Sequence, residues 1–106
     1  MANYKNLGQL NPTAATPSTL YTATTQVIIS SASVCNRSAT PTTFRIAHRV
    51  AGAALSDEMY IFYDSAIGAN ETAFFTIGAC LQNTDILTVY ATLGTLSFNA
   101  WGVESP

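Results

Sequence analysis

Thr42-Thr43-Phe44-Arg45-Ile46-Ala47-His48-Arg49-Val50 changes character from one residue to the next. Phe44, Ile46, His48 and Val50 share one parity, and Arg45, Ala47 and Arg49 the other. A period of two marks an extended strand, because successive side chains of a pleated chain point to opposite faces.

Downstream, residues 51–57 contain Gly52 and read as a loop, with room for one helical turn between Ala51 and Met59. Residues 58–64 are rich in aromatics, with Tyr60 and Phe62 expected on one face and Met59, Ile61 and Tyr63 on the other. After a turn at Gly68, residues 71–77 place Phe75 and Ile77 opposite Phe74. Residues 78–83 read as a loop and 84–91 as a strand with Leu87, Val89 and Ala91 on one side. Past Gly94, residues 95–101 carry Leu96 and Phe98.

Upstream, residues 36–41 form a turn cluster. Residues 26–36 alternate weakly, with Ile28, Ala32 and Val34 against Val27, Ile29 and Cys35, and residues 20–25 are a short Thr-rich strand. About seven β-branched or aromatic stretches, separated by Gly, Asn and Pro, predict an all-β fold. The expected form is a single antiparallel β-sandwich or jelly-roll-like domain over residues 20–106. Residues 1–19 differ: Gly8, Pro12 and Pro17 interrupt them and no periodicity runs through. They read as an extended N-terminal arm whose Tyr4, Leu7 and Leu10 dock on another surface, so the β-body should fold without it.

The chain has 106 residues, enough for one modest core. Only 9% of residues are charged while 48% are hydrophobic, against roughly 25% charged in ordinary domains. Surfaces so poor in charge tend to self-associate. Several strands are also apolar on both parities, residues 60–63 and 71–77 above all, where a solvated sandwich face should read polar. Both features point to a homo-oligomer, with a trimer as the expected form. The charges are segregated: Lys5, Arg37, Arg45 and Arg49 precede Asp57, and all six acids lie from Asp57 onward. Cross-strand pairing inside the fold is the plainer account, and a basic patch meeting an acidic patch on a neighbour is the sharper one.

Four basic residues and a net charge of −2 do not suit a phosphate track, so nucleic acid is not an expected partner. No apolar run approaches the roughly 20 residues of a membrane span, and residues 1–10 lack the apolar segment of a secretion signal. A reducing compartment is therefore expected, with Cys35 and Cys80 as small buried hydrophobes rather than a disulfide. Two cysteines without CxxC spacing and one histidine offer no metal set. His48, on the apolar parity, reads as a core or interface residue rather than a general base. There is no G-x-S-x-G elbow and no phosphate-binding glycine loop. Asp57, Glu58 and Asp64 lack calcium-loop spacing. The sequons at Asn36 and Asn70 fall in turns, where Asn is favoured for its local hydrogen bonds. No enzyme activity and no cofactor are expected.

An ordered set of segments resembles small virion structural proteins of tailed bacteriophages, cyanophages in particular. It runs from Leu-Gly-Gln at 7–9 and Leu-Tyr-Thr at 20–22 through Val-Cys-Asn-Arg-Ser at 34–38 and Thr-Phe-Arg-Ile-Ala at 43–47. It continues with Ala-Gly-Ala at 51–53, Tyr-Ile-Phe-Tyr-Asp at 60–64 and Ile-Gly-Ala-Asn-Glu-Thr at 67–72. Asp-Ile-Leu-Thr-Val-Tyr-Ala at 85–91, Leu-Ser-Phe-Asn at 96–99 and Gly-Val-Glu at 102–104 complete it. The chain departs from the pattern at Ala23-Thr24 and Val50, near which members of that family often carry prolines.

The resemblance implies a particle subunit assembled in the host bacterial cytoplasm, with no catalytic residues. The expected role is a capsid decoration or cement protein bound to the major capsid protein. A tail, baseplate or fibre-associated subunit is the nearest alternative, and a carbohydrate- or receptor-binding module using Tyr4, Tyr21, Tyr63 or Trp101 is a further one. The expected interface residues are Tyr4, Leu7, Leu10, Arg45, Arg49, Tyr60, Phe62, Tyr63, Phe74 and Trp101.

Overall fold

Two antiparallel sheets packed together make up the computed structural model, which describes residues 3–104. Among the described residues there are nine strands: β1 (Asn3–Leu10), β2 (Ser18–Thr22), β3 (Val27–Asn36), β4 (Thr42–Arg49), β5 (Tyr60–Ile67), β6 (Thr72–Phe75), β7 (Ala79–Leu81), β8 (Ile86–Ala91) and β9 (Leu96–Glu104). The five-stranded sheet runs β1-β9-β3-β6, with β7 also paired to β3, and the four-stranded sheet runs β2-β8-β4-β5.

The pairing follows one rule. β4 pairs with β5, β3 with β6 and β7, β2 with β8, and β1 with β9, all antiparallel. The chain is thus a long ribbon folded back on itself, and short 3₁₀ turns at Val50–Gly52 and Asp57–Met59 make the return. Rolling the ribbon brings β9 against β3 and β8 against β4. This is the winding of a jelly roll.

The ribbon also accounts for the segregated charges, since its first half is basic and its second acidic. Pairing the halves sets Lys5 Nζ 2.8 Å from Glu104 Oε1, Arg45 Nε 2.7 Å from Asp64 Oδ1 and His48 Nε2 2.9 Å from Asp85 Oδ2. Lys5, Arg45 and His48 therefore meet acids within the chain.

The inward parity of each sheet fills the core. Phe44 sits at its centre, 5.9 Å from the Phe62 ring centroid, 5.7 Å from Phe75 and 6.3 Å from Phe98. Leu87, Val89 and Leu96 are fully buried around it, and each such aliphatic side chain contributes about 1.5–3 kcal/mol by leaving water.

Two buried polar residues tie the loops to this core. Asn36 donates from Nδ2 to the carbonyls of Thr40 and Gly68, and its Oδ1 accepts from the Ser38 N–H and Thr95 Oγ1. Its side-chain amide is therefore fully engaged within the fold. Asp85 accepts from the Ala51 N–H at 2.7 Å and the Gln82 N–H at 3.0 Å, and also bonds His48.

The residues expected as an extended arm docking on another surface are instead strands of the sandwich. β1 lies along β9 from Asn3 opposite Glu104 to Leu10 opposite Phe98, and β2 begins at Ser18. Leu7 and Leu10 pack on the core of their own chain. The arm's residues 1–2, with residues 105–106, lie outside the described residues. β1 escapes a periodicity search because a bulge between Asn6 and Gly8 reverses its parity.

Gly102 permits the closest strand approach. A Cβ there would overlap the Ile28 carbonyl of β3. Gly102→Ala is expected to cost about 2–3 kcal/mol, a fall of roughly 10 °C or more in thermal midpoint for a domain this size, measured by circular dichroism.

Candidate interaction surface

The outward parity of the five-stranded sheet is the feature that solvent alone does not explain. Tyr4, Val103, Ile28 and Cys80 form one cross-strand row, Tyr4 facing Val103, Val103 facing Ile28 and Ile28 facing Cys80. Beside that row the rings of Phe74 and Trp101 lie within 15° of parallel, with centroids 6.0 Å apart. Tyr4 is 85% exposed, Phe74 70% and Ile28 47%. Ser33, between Asn99 and Phe74 in the ladder, is buried although it points outward. Among the described residues, no Lys, Arg, Asp or Glu lies on the outward parity of β1, β3, β6, β7 or β9.

The thiols belong to the same face. Cys35 faces Ser97 and Thr72, and Cys80 faces Ile28. Both are free, Cys35 half-buried and Cys80 exposed, so the expectation of buried cysteines is corrected. The physical reason is β7. This short strand takes the segment expected as a loop and adds it to β3, which turns Leu81 into the core and Cys80 out.

The opposite sheet presents a different chemistry. Arg45 is clamped between two tyrosines, its guanidinium carbon 4.2 Å from the Tyr63 centroid and 4.4 Å from that of Tyr90. Its Nε and Nη2 donate to the two oxygens of Asp64 at 2.7 and 3.3 Å. Those hydrogen bonds hold the guanidinium even more firmly protonated than usual. Asp64 sits at φ +49° on the edge strand β5, a left-handed position that a short polar side chain tolerates better than most.

Arg49 bonds the carbonyls of Ala53 and Gly52 and so holds the return of the ribbon. Tyr60 meets Tyr63 edge-on at 4.8 Å, and both border an open cleft of about 500 Å³ with Asp57. The expected facing of these residues is corrected here. β5 has two register shifts against β4, so Phe62 faces Ile46 while Tyr60 faces Ala47. Phe62 consequently belongs to the core aromatic cluster, 4.3 Å from Phe75, and not to a contact surface.

At one corner, where β1, β9 and β2 meet, the Tyr21 hydroxyl donates to Glu104 Oε2 at 2.6 Å and Lys5 pairs with Oε1. The two partners together hold the Glu104 carboxyl below its ordinary range, while burial, then Glu104, push the Tyr21 phenol up. His48 bonds only Asp85 among the side-chain hydrogen bonds of the described residues, and Asp85 already serves two backbone amides. The pair anchors loops. No group of three or more potential metal ligands occurs among the described residues.

Of the expected interface residues, the structure gathers Tyr4, Phe74 and Trp101 on the uncharged face. Arg45, Tyr60 and Tyr63 lie on the opposite sheet, Arg49 at the loop, and Leu7, Leu10 and Phe62 inside. Ile28, Val103 and Cys80 complete the uncharged face without having been expected there. Only the register reveals them, because a bulge between Ile29 and Ser31 reverses the parity of β3 midway.

No family model, curated protein or solved structure matches this chain.

Proposed function

We propose that this chain is a non-enzymatic structural subunit of a tailed-bacteriophage particle, a decoration or cement protein of the head. The observation that carries the reading is the uncharged aromatic face of the five-stranded sheet. A monomer in water gains nothing by exposing Tyr4, Ile28 and Phe74 together, whereas contact surfaces are enriched in aromatics and depleted of charge at their centres. The ordered resemblance to virion proteins supports the phage setting. A jelly roll by itself does not choose, because shell proteins and lectins share that frame.

The work such a subunit does is mechanical. Each contact is weak, but symmetry repeats it over a lattice, and a protein that binds the assembled shell better than its loose parts stabilises the shell by mass action. Cryo-electron microscopy of particles from a phage encoding this chain tests the reading. The expected result is density for the jelly roll at symmetric positions on the head. Density confined to the tail would move the subunit there, and purified particles lacking the chain by mass spectrometry would overturn the reading.

A further inference from the structure

We infer that the outward face of the five-stranded sheet is a two-fold contact whose occupant is the same face of a second copy of this chain. The inference rests on the assembly reading above and adds the occupant of that face and the symmetry of the contact.

Charge is the first argument. In a two-fold contact the same patch meets itself, so a net charge near the axis would face its own sign. Among the described residues this face carries none, while Arg45, Asp64 and Asp57 all lie with the opposite sheet. Lys5 and Glu104, at the rim, turn toward that sheet and neutralise each other. A foreign partner recognised by charge would be served better by the other side of the molecule.

Size is the second. The sheet is four strands wide in the order β1-β9-β3-β6, about 19 Å at ~4.8 Å per strand. Its longest inner strand, β3, has 10 residues, about 33 Å at ~3.3 Å each. A flat face of roughly 600 Å² follows, hence roughly 1,200 Å² buried by two copies, the lower end of the range for stable specific interfaces.

The edges supply the third argument, because they make strand-to-strand addition a poor alternative. β1 is bulged at Leu7, β2 between Thr19 and Tyr21 and β5 twice, while Gly78 breaks the β6–β7 edge. Such interruptions block pairing with another chain. Sheet stacking at about 10 Å remains, with Phe74 and Trp101 as the aromatic anchors.

The native thiols report on this face directly. Light scattering across a dilution series of the full chain should give twice the chain mass at high concentration. Reaction of Cys80 with a thiol reagent should slow at least tenfold over the same range. Phe74→Glu, at a position already exposed in the monomer, should keep the β circular dichroism spectrum, stay monomeric throughout and leave Cys80 fully reactive. Tyr63→Glu on the opposite sheet should still dimerise.

A monomer at every concentration, a trimer mass, or a dimer whose Cys80 reactivity and mass ignore Phe74→Glu would each overturn the inference. The two readings fail separately. A chain found on particles yet monomeric in solution removes the two-fold contact alone. A dimer with protected Cys80 that is absent from particles removes the phage role alone.

Discussion

Deleting residues 2–10 is expected to abolish cooperative folding. The deletion removes β1, strips the outer edge of β9 of its partner and takes Leu7 and Leu10 out of the core. Two leucines at about 1.5–3 kcal/mol each come to ~3–6 kcal/mol, before the ladder hydrogen bonds and the Lys5–Glu104 pair are counted. Domains of this kind are stable by about 5–15 kcal/mol in total. Thermal unfolding followed by circular dichroism should show no sigmoidal transition, or one lowered by at least about 15 °C. A truncated protein melting cooperatively within a few degrees of the full chain would show that β1 is an appendage after all.

Asp85→Ala is expected to be the most damaging single substitution at a polar site. The carboxylate is almost wholly buried and satisfies the Ala51 and Gln82 amides as well as His48. Truncation strands the two backbone amides, at about 1–3 kcal/mol each, so roughly 2–6 kcal/mol overall. Burial pushes the Asp85 carboxyl up, but the hydrogen bonds from Ala51, His48 and Gln82 more than reverse this and leave its pKa lowered.

The sign of the pH effect follows. A carboxyl whose folded pKa lies below its unfolded value of about 3.9 contributes its full stability above that value. The contribution disappears as pH falls through the folded pKa. Urea unfolding from neutral to acid pH should therefore show the wild type losing stability below about pH 4, while Asp85→Asn, weaker throughout, shows a flatter profile there. Parallel profiles for the two proteins would rule out Asp85 as the group responsible.

What the sequence disclosed and what it hid divide along the bulges. β4, β8 and the first part of β9 keep strict alternation, so Phe44, Ile46, Leu87, Val89, Leu96 and Phe98 were readable as core. β1, β3 and β5 each contain a register shift, and there parity misled. It left β1 looking like an arm, put Ile28 with Ala32, and separated Tyr60 from Tyr63. β7, at 3 residues, is too short to show any period. The uncharged face was legible in part: excess aromatics on both parities signalled it, but only pairing could say that Tyr4, Phe74 and Trp101 lie together while Tyr63 does not. Asn36 looked like an ordinary turn residue and Asp85 like a polar residue of the 84–91 strand, since nothing in a sequence marks which polar group will be sealed from water.

The ribbon winding also fixes how the molecule bears tension. Residues 3 and 104 are rung partners at one end of the β1–β9 ladder. Pulled apart there, the two strands peel open one rung at a time, and each rung resists alone. A pull directed along the strands instead shears the ladder and is shared by every rung at once. A lattice whose pull ran along the strands would strain this protein in its strong direction, and tethers placed at residues 3 and 104 would unzip it.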